Sequence, residues 1–272
     1  PEVNAYVFHR WAVDQSGQVV TPGKRGHFRL GYTRIFQAPI HAEGKSITPA
    51  TITRPQVAKM YQLIRAAWGE NGAVALAWTV ASWFVCQVKA EINLFPFLSM
   101  YGDPASGKSA LVTLLNAIQA REGEGLPISQ LSTKKGNIRT IGQVSGLFTA
   151  LLEDNERNDR AFDYSFVLTA YNRGPLQVQA AFSNDLQTKE NPFLGTLLFA
   201  QNVEPFNSKA ERQRVISLQF KADAITDASR AAYEQLTATD KPDLAGIMRQ
   251  VLAHRQHFEQ SWRNAYATAT AD

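Results

Sequence analysis

The sequence has a single cysteine, Cys86, among its 272 residues, so no disulfide can form within the chain. This composition is typical of a reducing compartment, and we therefore expect a cytoplasmic protein. Long hydrophobic runs are also missing. The longest, residues 73–85, is shorter than the roughly 20 residues that cross a bilayer, and it predicts a buried helix. The N-terminus lacks the basic-then-apolar pattern of a signal peptide.

Charged residues make up only 19% of the chain, and no long block of like charge indicates a disordered tail. The net charge of +4 is unevenly distributed. Residues 1–54 contain seven Lys or Arg and three Asp or Glu, whereas the remaining residues contain 21 of each kind. A basic excess at one end can attract a polyanion, although a charge this small also suits an ordinary solvated surface.

The hydrophobic pattern divides the chain into four segments. Residues 1–54 predict a small strand-rich segment, with strands at 3–11 and 27–36 and a turn at 21–26. Residues 55–92 have apolar positions at helical spacing, interrupted at residues 69–72. The main domain is predicted at residues 93–221, and further helices are predicted at residues 222–272.

Within residues 93–221, apolar runs alternate with helical stretches. Strands are expected at 97–101, 147–152, 194–200 and 215–220, and a helix at 110–120. Two of these strands, 147–152 and 194–200, are near-continuous apolar runs, which is typical of strands covered on both faces. The sequence therefore predicts an α/β fold, a three-layer sandwich with a central, mostly parallel sheet and flanking helices.

The first of these strands runs into residues 102–109, which match the motif G-x-x-x-x-G-K-[ST] in full. The glycines allow backbone N–H groups to converge on phosphate oxygens, and the helix that follows favours an anion at its N-terminus. Lys108 can reach the β- and γ-phosphates, and the Ser109 hydroxyl can bind Mg²⁺. We therefore predict a P-loop NTPase that binds ATP and Mg²⁺ through Gly102, Asp103, Pro104, Ala105, Ser106, Gly107, Lys108, Ser109 and Ala110.

Acidic residues follow the apolar strand at 147–152. Glu153 and Asp154 come directly after it, and their side chains are expected on opposite faces because side chains alternate along a strand. One carboxylate can then face the metal while the other faces the attacking water. We assign Glu153 to Mg²⁺ and Asp154 to the water. The reverse assignment remains open, and Glu156 is a further candidate.

Polar and basic residues flank the last two strands of this segment. Asn202 follows the strand at 194–200, and its amide can bind the γ-phosphate or the attacking water; the alternative is a turn residue. Arg212 and Arg214 precede the strand at 215–220. Either can stabilise charge on the transferred phosphate in a neighbouring subunit's site, or belong to a basic turn, with Arg214 slightly favoured.

A β-hairpin is predicted at residues 171–193, between the acidic strand and the strand that precedes Asn202. Its alternating residues 176–180 and the turn candidates Asn184 and Asp185 support this assignment. Lys189 and Arg173 are its basic residues. They can contact a nucleic-acid backbone or be ordinary surface charges.

The order of these motifs resembles that of superfamily 3 helicases, which are AAA+-related motors of viral, plasmid and mobile-element replication. The sequence is most similar to the ATPase region of zinc-finger/Toprim DNA primase-helicases of bacterial mobile elements and phages, through residues 95–98, Tyr171-Asn172 and Asn202. The resemblance covers residues 70–221. It implies a hexameric ring, with ATP sites between subunits, that unwinds DNA in a bacterial cell.

The acidic motif, Glu-Asp-Asn-Glu, departs from the plain acidic pair of that family, and no zinc-binding cluster or primase site is visible. The leading hypothesis is an ATP-driven DNA helicase motor. The alternative is a non-motor ATP-binding assembly or switch module that recruits replication partners. A small-molecule kinase is disfavoured because no Arg-rich lid follows the P-loop domain.

Overall fold

The computed structural model describes residues 5–8, 10–14, 16–30, 33–36, 46–127, 141–142, 146–152, 164, 166–180, 188–206 and 208–271. The strands are β1 (Tyr6–Val7), β2 (Ala12–Val13), β3 (Val19–Val20), β4 (His27–Leu30), β5 (Thr33–Phe36), β6 (Phe97–Gly102), β7 (Leu126–Pro127), β8 (Phe148–Leu152), β9 (Pro175–Ala180), β10 (Thr188–Pro192), β11 (Thr196–Gln201) and β12 (Val215–Phe220). The α-helices are α1 (Arg54–Ser82), α2 (Val85–Ile92), α3 (Lys108–Ile118), α4 (Phe166–Tyr171), α5 (Lys209–Arg212), α6 (Asp227–Thr237), α7 (Lys241–Ala253) and α8 (Arg255–Ala269).

The chain forms two compact units, each assembled from separate stretches of sequence. The first comprises Pro1–Leu63, Leu114–Gly123 and Tyr233–Asp272, and the second comprises Ile64–Thr113 and Glu124–Ala232. In the first unit, backbone hydrogen bonds join Ile47 N to Ala120 O at 2.9 Å and Ala50 N to Pro242 O at 2.9 Å. The segment that precedes α1 is thereby fixed to two other parts of the same unit.

The N-terminal strands of the first unit form a three-stranded sheet, β1-β2-β3, and a separate antiparallel pair, β4-β5. Their inner faces share a small core of Ala12, Phe28 and Leu30, with Val20 and Ile35 packed against it. The single strand predicted at 27–36 is therefore wrong, because β4 and β5 pair with each other, Leu30 opposite Thr33. The side chains that face the core are at even-numbered positions in β4 and at an odd-numbered position in β5. A continuous strand would keep the same parity, so this change is the pattern of a hairpin.

The second unit contains a five-stranded sheet of order β12-β6-β11-β8-β7, in which every pair of neighbours is parallel. It is flanked by helices, so the predicted α/β class with a central parallel sheet is confirmed. The strands predicted at 97–101, 147–152, 194–200 and 215–220 are β6, β8, β11 and β12. Strand β7 is only two residues long and was not predicted.

Aromatic rings hold one face of this sheet. Phe97, Phe199 and Phe206 are buried, and the Phe199 ring meets the other two edge-on, with ring centroids 6.2 and 5.2 Å apart. Burying such side chains stabilises a fold by roughly 1.5–3 kcal/mol each relative to leaving them exposed. The packed rings therefore fix the positions of β6 and β11, which lead into the site.

Helix α1 is interrupted at Gly69, whose backbone is non-helical with φ 59° and ψ −144°. This agrees with the break predicted at residues 69–72. Within the described ranges, no single helix has the length and apolarity of a membrane span; α1 and α2 meet that criterion only together, across a bend of 74°.

Candidate nucleotide-binding site

The P-loop motif lies between the end of β6 and the start of α3. Gly102 is the last residue of β6 and Lys108 is the first residue of α3, so the strand–loop–helix context expected for the motif is present. Gly107 has φ 86° and Ala105 has φ 57°, both in the left-handed region. Left-handed residues within a short loop turn successive N–H groups toward a common centre, which is the geometry of an anion-binding nest.

Two contacts show why glycine is required in this loop. A Cβ on Gly102 would lie 2.0 Å from Phe220 O, in the backbone of the neighbouring strand β12. A Cβ on Gly107 would lie 3.0 Å from the Trp68 indole nitrogen, and both glycines have positive φ. Any side chain at these positions would therefore displace the backbone or the indole.

Lys108 is the buried cation of the loop, with only 7% of its surface exposed. Its Nζ donates hydrogen bonds to Gly102 O at 2.8 Å, Asp103 O at 2.6 Å and Ser106 Oγ at 3.1 Å. Burial lowers the pKa of Lys108, and the Asp103 carboxylate opposes this shift. The ammonium is therefore held among loop carbonyls. Because burial disfavours its positive charge, the negative charge of a nearby phosphate would stabilise it.

Two neighbouring segments brace the loop. Asp103 N donates to Phe220 O at 3.0 Å, and Ala222 N donates to Asp103 Oδ2 at 3.0 Å, which ties the loop to the end of β12. The Trp68 indole nitrogen donates to Gly107 O at 3.2 Å, at the opposite end of the loop. Trp68 directly precedes the break at Gly69. The sequence indicated it only as an apolar helix position, and no spacing rule reveals this contact.

Strand β11 lies between β6 and β8, so its carboxyl end adjoins the P-loop. Gln201, its last residue, pairs with Tyr101, next to Gly102. After β6, the chain runs to β7 at one edge of the sheet and comes back through β8 and β11. It then crosses over β6 to reach β12 at the opposite edge. The carboxyl ends of β6 and β11 therefore border a topological switch point, where α/β sheets bind ligands. Asn202 follows immediately and is half-buried.

Gln201 is a second amide residue at this edge, next to Asn202, to which the sequence analysis assigned the role. It is 3% exposed, and its Oε1 accepts a hydrogen bond from the Tyr164 hydroxyl at 3.1 Å. Its Nε2 is buried and has no hydrogen-bond partner among the described residues. A buried amide donor without a partner costs about 1–3 kcal/mol and therefore marks a position where a polar group is expected.

The predicted acidic residues lie outside the described residues. Strand β8 ends at Leu152, which pairs with Ala200 of β11. Glu153 and Asp154 follow Leu152 in sequence, and Glu156 comes two residues later. Their assignments to Mg²⁺ and to the attacking water therefore remain predictions.

The two candidate arginines lie before the amino end of β12, whereas the P-loop lies at the carboxyl ends of the strands. Strand β12 pairs with β6 from Val215–Phe97 to Phe220–Gly102, so Arg214 precedes the paired region and the P-loop follows it. A six-residue strand spans roughly 20 Å, which is longer than an arginine side chain. Arg214 and Arg212 are therefore too far to act on the P-loop of their own chain.

Both arginines have local partners. Arg214 donates from Nη1 to Ala210 O at 2.5 Å, and its guanidinium lies 5.4 Å from the centroid of the Tyr171 ring. Arg212 donates from Nε to Phe206 O at 3.0 Å. Arg212 is exposed, whereas Arg214 is half-buried.

The predicted hairpin is present as strands β9 and β10, which pair antiparallel from Ala180–Thr188 to Pro175–Pro192. Lys189 lies on β10 opposite Gln179. Arg173 is exposed, with φ 61°, in the turn that precedes β9. The turn predicted at Asn184 and Asp185 lies outside the described residues.

Lys89 of α2 fixes the base of this hairpin. Its Nζ donates to Ala170 O at 2.8 Å, Phe193 O at 3.2 Å and Gly195 O at 3.0 Å. These carbonyls belong to the helix before the hairpin, the residue after β10 and the residue before β11. One buried ammonium thus joins both ends of the hairpin to the strand that ends at Gln201.

No protein-family model and no curated protein matches this chain. Its fold is similar to a solved structure described as "SCCmec type IV Cch - active helicase", with a TM-score of 0.52 and 14% identity over 87% of this chain and 47% of that chain. The NrS-1 C-terminal region aligns with a TM-score of 0.45 and 12% identity over 86% of this chain and 56% of that one. An inhibitor-bound JCV helicase gives 0.42 and 12%, over 74% and 54%.

The chain therefore spans about half the length of the solved proteins it matches, between 47% and 56%. At 14% identity, the likeness to Cch shows a shared fold, that of a protein described as an active helicase. The assignment of site residues depends on the geometry described above.

Proposed function

We propose that this chain is the ATP-hydrolysing motor of a replicative DNA helicase, the ATPase part of a primase-helicase carried by a mobile element or phage. The proposal depends most on one observation. A P-loop with a buried lysine adjoins, at a topological switch point, a strand that ends at Gln201 and is followed by Asn202. The Cch-like fold and the inserted β9-β10 hairpin support the same function.

The P-loop residues fit the polyphosphate of ATP. The positive-φ residues Ala105 and Gly107 shape an anion nest, and the N-terminal amides of α3 follow directly. Lys108 adds a charge that binds the β- and γ-phosphates. The exposed Ser109, together with Glu153, supplies oxygen ligands for Mg²⁺, whose charge offsets that of the phosphates, and Asp154 faces the attacking water.

The amides at the end of β11 distinguish ATP from ADP in this proposal. Asn202 contacts the γ-phosphate or the attacking water, as its position after β11 suggests. Gln201 completes the site, because its buried Nε2 is a hydrogen-bond donor without a partner among the described residues. The Tyr164 hydroxyl holds the other end of this amide and fixes its orientation.

Arg214, or Arg212, stabilises the transferred phosphate of a neighbouring subunit in this proposal. Both arginines lie before the amino end of β12, and the P-loop lies near its carboxyl end. This position favours action between subunits of a ring, which we propose is a hexamer. A mixture of Lys108→Ala and Arg214→Ala subunits tests this arrangement. Random mixing in equal amounts restores a complete site at about one quarter of interfaces if the arginine acts in trans, and at none if it acts in cis.

The β9-β10 hairpin contacts DNA in this proposal, with Lys189 and Arg173 binding the phosphate backbone. Because Lys89 anchors both ends of the hairpin beside the start of β11, a shift of β11 on ATP hydrolysis reaches the hairpin directly. ATP use and DNA movement are thereby linked through one strand.

The experiment that tests this function measures ATP hydrolysis with and without single-stranded DNA, followed by unwinding of a forked duplex. We expect single-stranded DNA to stimulate hydrolysis, and the assembled protein to separate the strands only with hydrolysable ATP. Tight nucleotide binding with slow turnover, no stimulation by DNA and ATP-dependent assembly would instead indicate the non-motor module.

A further inference from the structure

The N-terminal hairpin β4-β5 has an unusual pair of charges on its outer face. Arg29 and Arg34 stand directly opposite each other in the antiparallel register, and both are exposed. Like charges at directly opposed positions destabilise a β-sheet. A sequence selected for folding alone would place an opposite charge or a neutral residue at one of the two positions.

The inner face of the same hairpin explains why this pair cannot turn away from solvent. Phe28 and Leu30 are buried in the small N-terminal core, and Ile35 packs against that core. Side chains alternate along each strand, so burial of these three residues directs Arg29 and Arg34 outward together. The two guanidinium groups are therefore presented on a fixed platform.

In the part of the chain that the structure describes, no acidic residue neutralises this pair. Among the described residues, neither Arg29 nor Arg34 forms an ion pair with an Asp or Glu. The only acid in the sequence between residues 5 and 36 is Asp14. Its Oδ1 accepts hydrogen bonds from Ser16 N, Ser16 Oγ and Gln18 N at 2.8, 2.6 and 3.0 Å, so it is already engaged.

Further basic residues border the same hairpin. Lys24 and Arg25 are exposed in the turn that enters β4, a turn closed by hydrogen bonds from Gly26 N to Gly23 O and from Gly23 N to His27 O. Residues 5–36 thus contain five Lys or Arg against one Asp. The excess positive charge of the whole protein lies in the segment that contains this hairpin.

We infer that the outer face of β4-β5 is a second nucleic-acid contact, in which Arg29 and Arg34 bind the phosphate backbone of single-stranded DNA. Arginine binds phosphate through paired N–H donors, and opposed strands present the two guanidinium groups side by side. A bound phosphodiester places negative charge between them and removes the repulsion. The inference deepens the proposed function by adding a DNA contact outside the ATPase sheet, and it depends on that function only for the identity of the polyanion.

The test replaces both arginines by a residue that favours strands, Arg29→Thr/Arg34→Thr, and measures binding of labelled oligothymidine by fluorescence anisotropy without nucleotide. Loss of two phosphate contacts flattens the slope of log K against log salt by about 1.4, which corresponds to weakening of up to about 25-fold at about 0.1 M salt. The matched control, Arg54→Ala/Lys59→Ala, removes the same charge from exposed positions on α1 and should leave the slope unchanged.

A second variant separates binding from folding. Arg29→Glu places an opposite charge across from Arg34, so the thermal midpoint should rise while DNA affinity falls. Weaker binding together with an unchanged or higher thermal midpoint supports the inference. The inference is overturned if the hairpin variants bind DNA with the same affinity and the same salt slope as the control pair. It is also overturned if every variant that binds DNA more weakly has a lower thermal midpoint.

This test is independent of ATP hydrolysis. If the wild-type protein hydrolyses no ATP, the helicase proposal fails, while the difference between the hairpin variants and the control pair still reports on this surface. If hydrolysis is stimulated by DNA but the hairpin variants bind like the control, only the second contact is refuted.

Discussion

Burial of Lys89 should make the stability of this protein depend on pH in a way that an apolar residue would not. Its ammonium is 1% exposed and lies 4.7 Å from the centroid of the Phe193 ring, besides its three carbonyl acceptors. Burial lowers the pKa of Lys89 from 10.5 to about 7; negative charge on the Cys86 sulfur opposes this shift and the Arg173 guanidinium adds to it. Between these two values, the Lys89 side chain holds up to one more proton in the unfolded chain than in the folded protein.

The contribution of Lys89 to the free energy of unfolding therefore rises with pH in that window, with a slope of up to about 1.4 kcal/mol per pH unit. From about pH 7.5 to about 9.5, this amounts to about 2.5 kcal/mol. The Lys89→Met variant keeps the volume and lacks the titration. Urea unfolding of both proteins across this range should show the wild type gaining about that much relative to the variant.

The exposed Lys221→Met variant is the matched control in the same unit and should follow the wild type at every pH. Differences taken against the variants cancel the titration of shared groups. Parallel curves for the wild type and Lys89→Met would contradict this prediction, because they would show that the ammonium keeps its ordinary pKa in the folded protein.

Three further predictions concern the nucleotide site. Gln201→Leu should lower kcat for ATP more than it weakens nucleotide binding, whereas Gln213→Leu, at an exposed position, should leave both unchanged in steady-state kinetics and calorimetry. Gly107→Ala should weaken binding of a fluorescent ATP analogue and cost about 1–2 kcal/mol of stability, because the new Cβ is strained at positive φ and meets Trp68. Nucleotide should change the intrinsic fluorescence of the wild type, and Trp68→Phe should remove that change; a signal that persists would locate it in another tryptophan.

The P-loop and its strands could be predicted from the sequence because local spacing determines them. The G-x-x-x-x-G-K-S motif requires a strand before it and a helix after it, and four of the sheet strands are apolar runs long enough to recognise. Strand β7 has two residues and leaves no periodic pattern. The hairpin at 27–36 was missed because the shift of apolar positions from even to odd numbers is visible only over a few residues.

Other features depend on tertiary packing and have no local signal. The strand order, which brings β11 beside β6, is not encoded in any single segment. Trp68 reaches Gly107 O only because α1 breaks at Gly69, and Gln201 is an ordinary polar residue until burial leaves its amide without a partner. Lys89 reads as a surface lysine on a helix, yet it is buried against three carbonyls from distant residues.

The most direct test of the nucleotide site is ATP binding and hydrolysis by Lys108→Ala, with the exposed Lys59→Ala as its matched control. We expect Lys108→Ala to fold but to have no measurable turnover, because the buried ammonium that meets the β- and γ-phosphates is gone. Lys59→Ala should hydrolyse ATP like the wild type. Hydrolysis by Lys108→Ala at the wild-type rate would contradict the assignment of residues 102–109 as the nucleotide site.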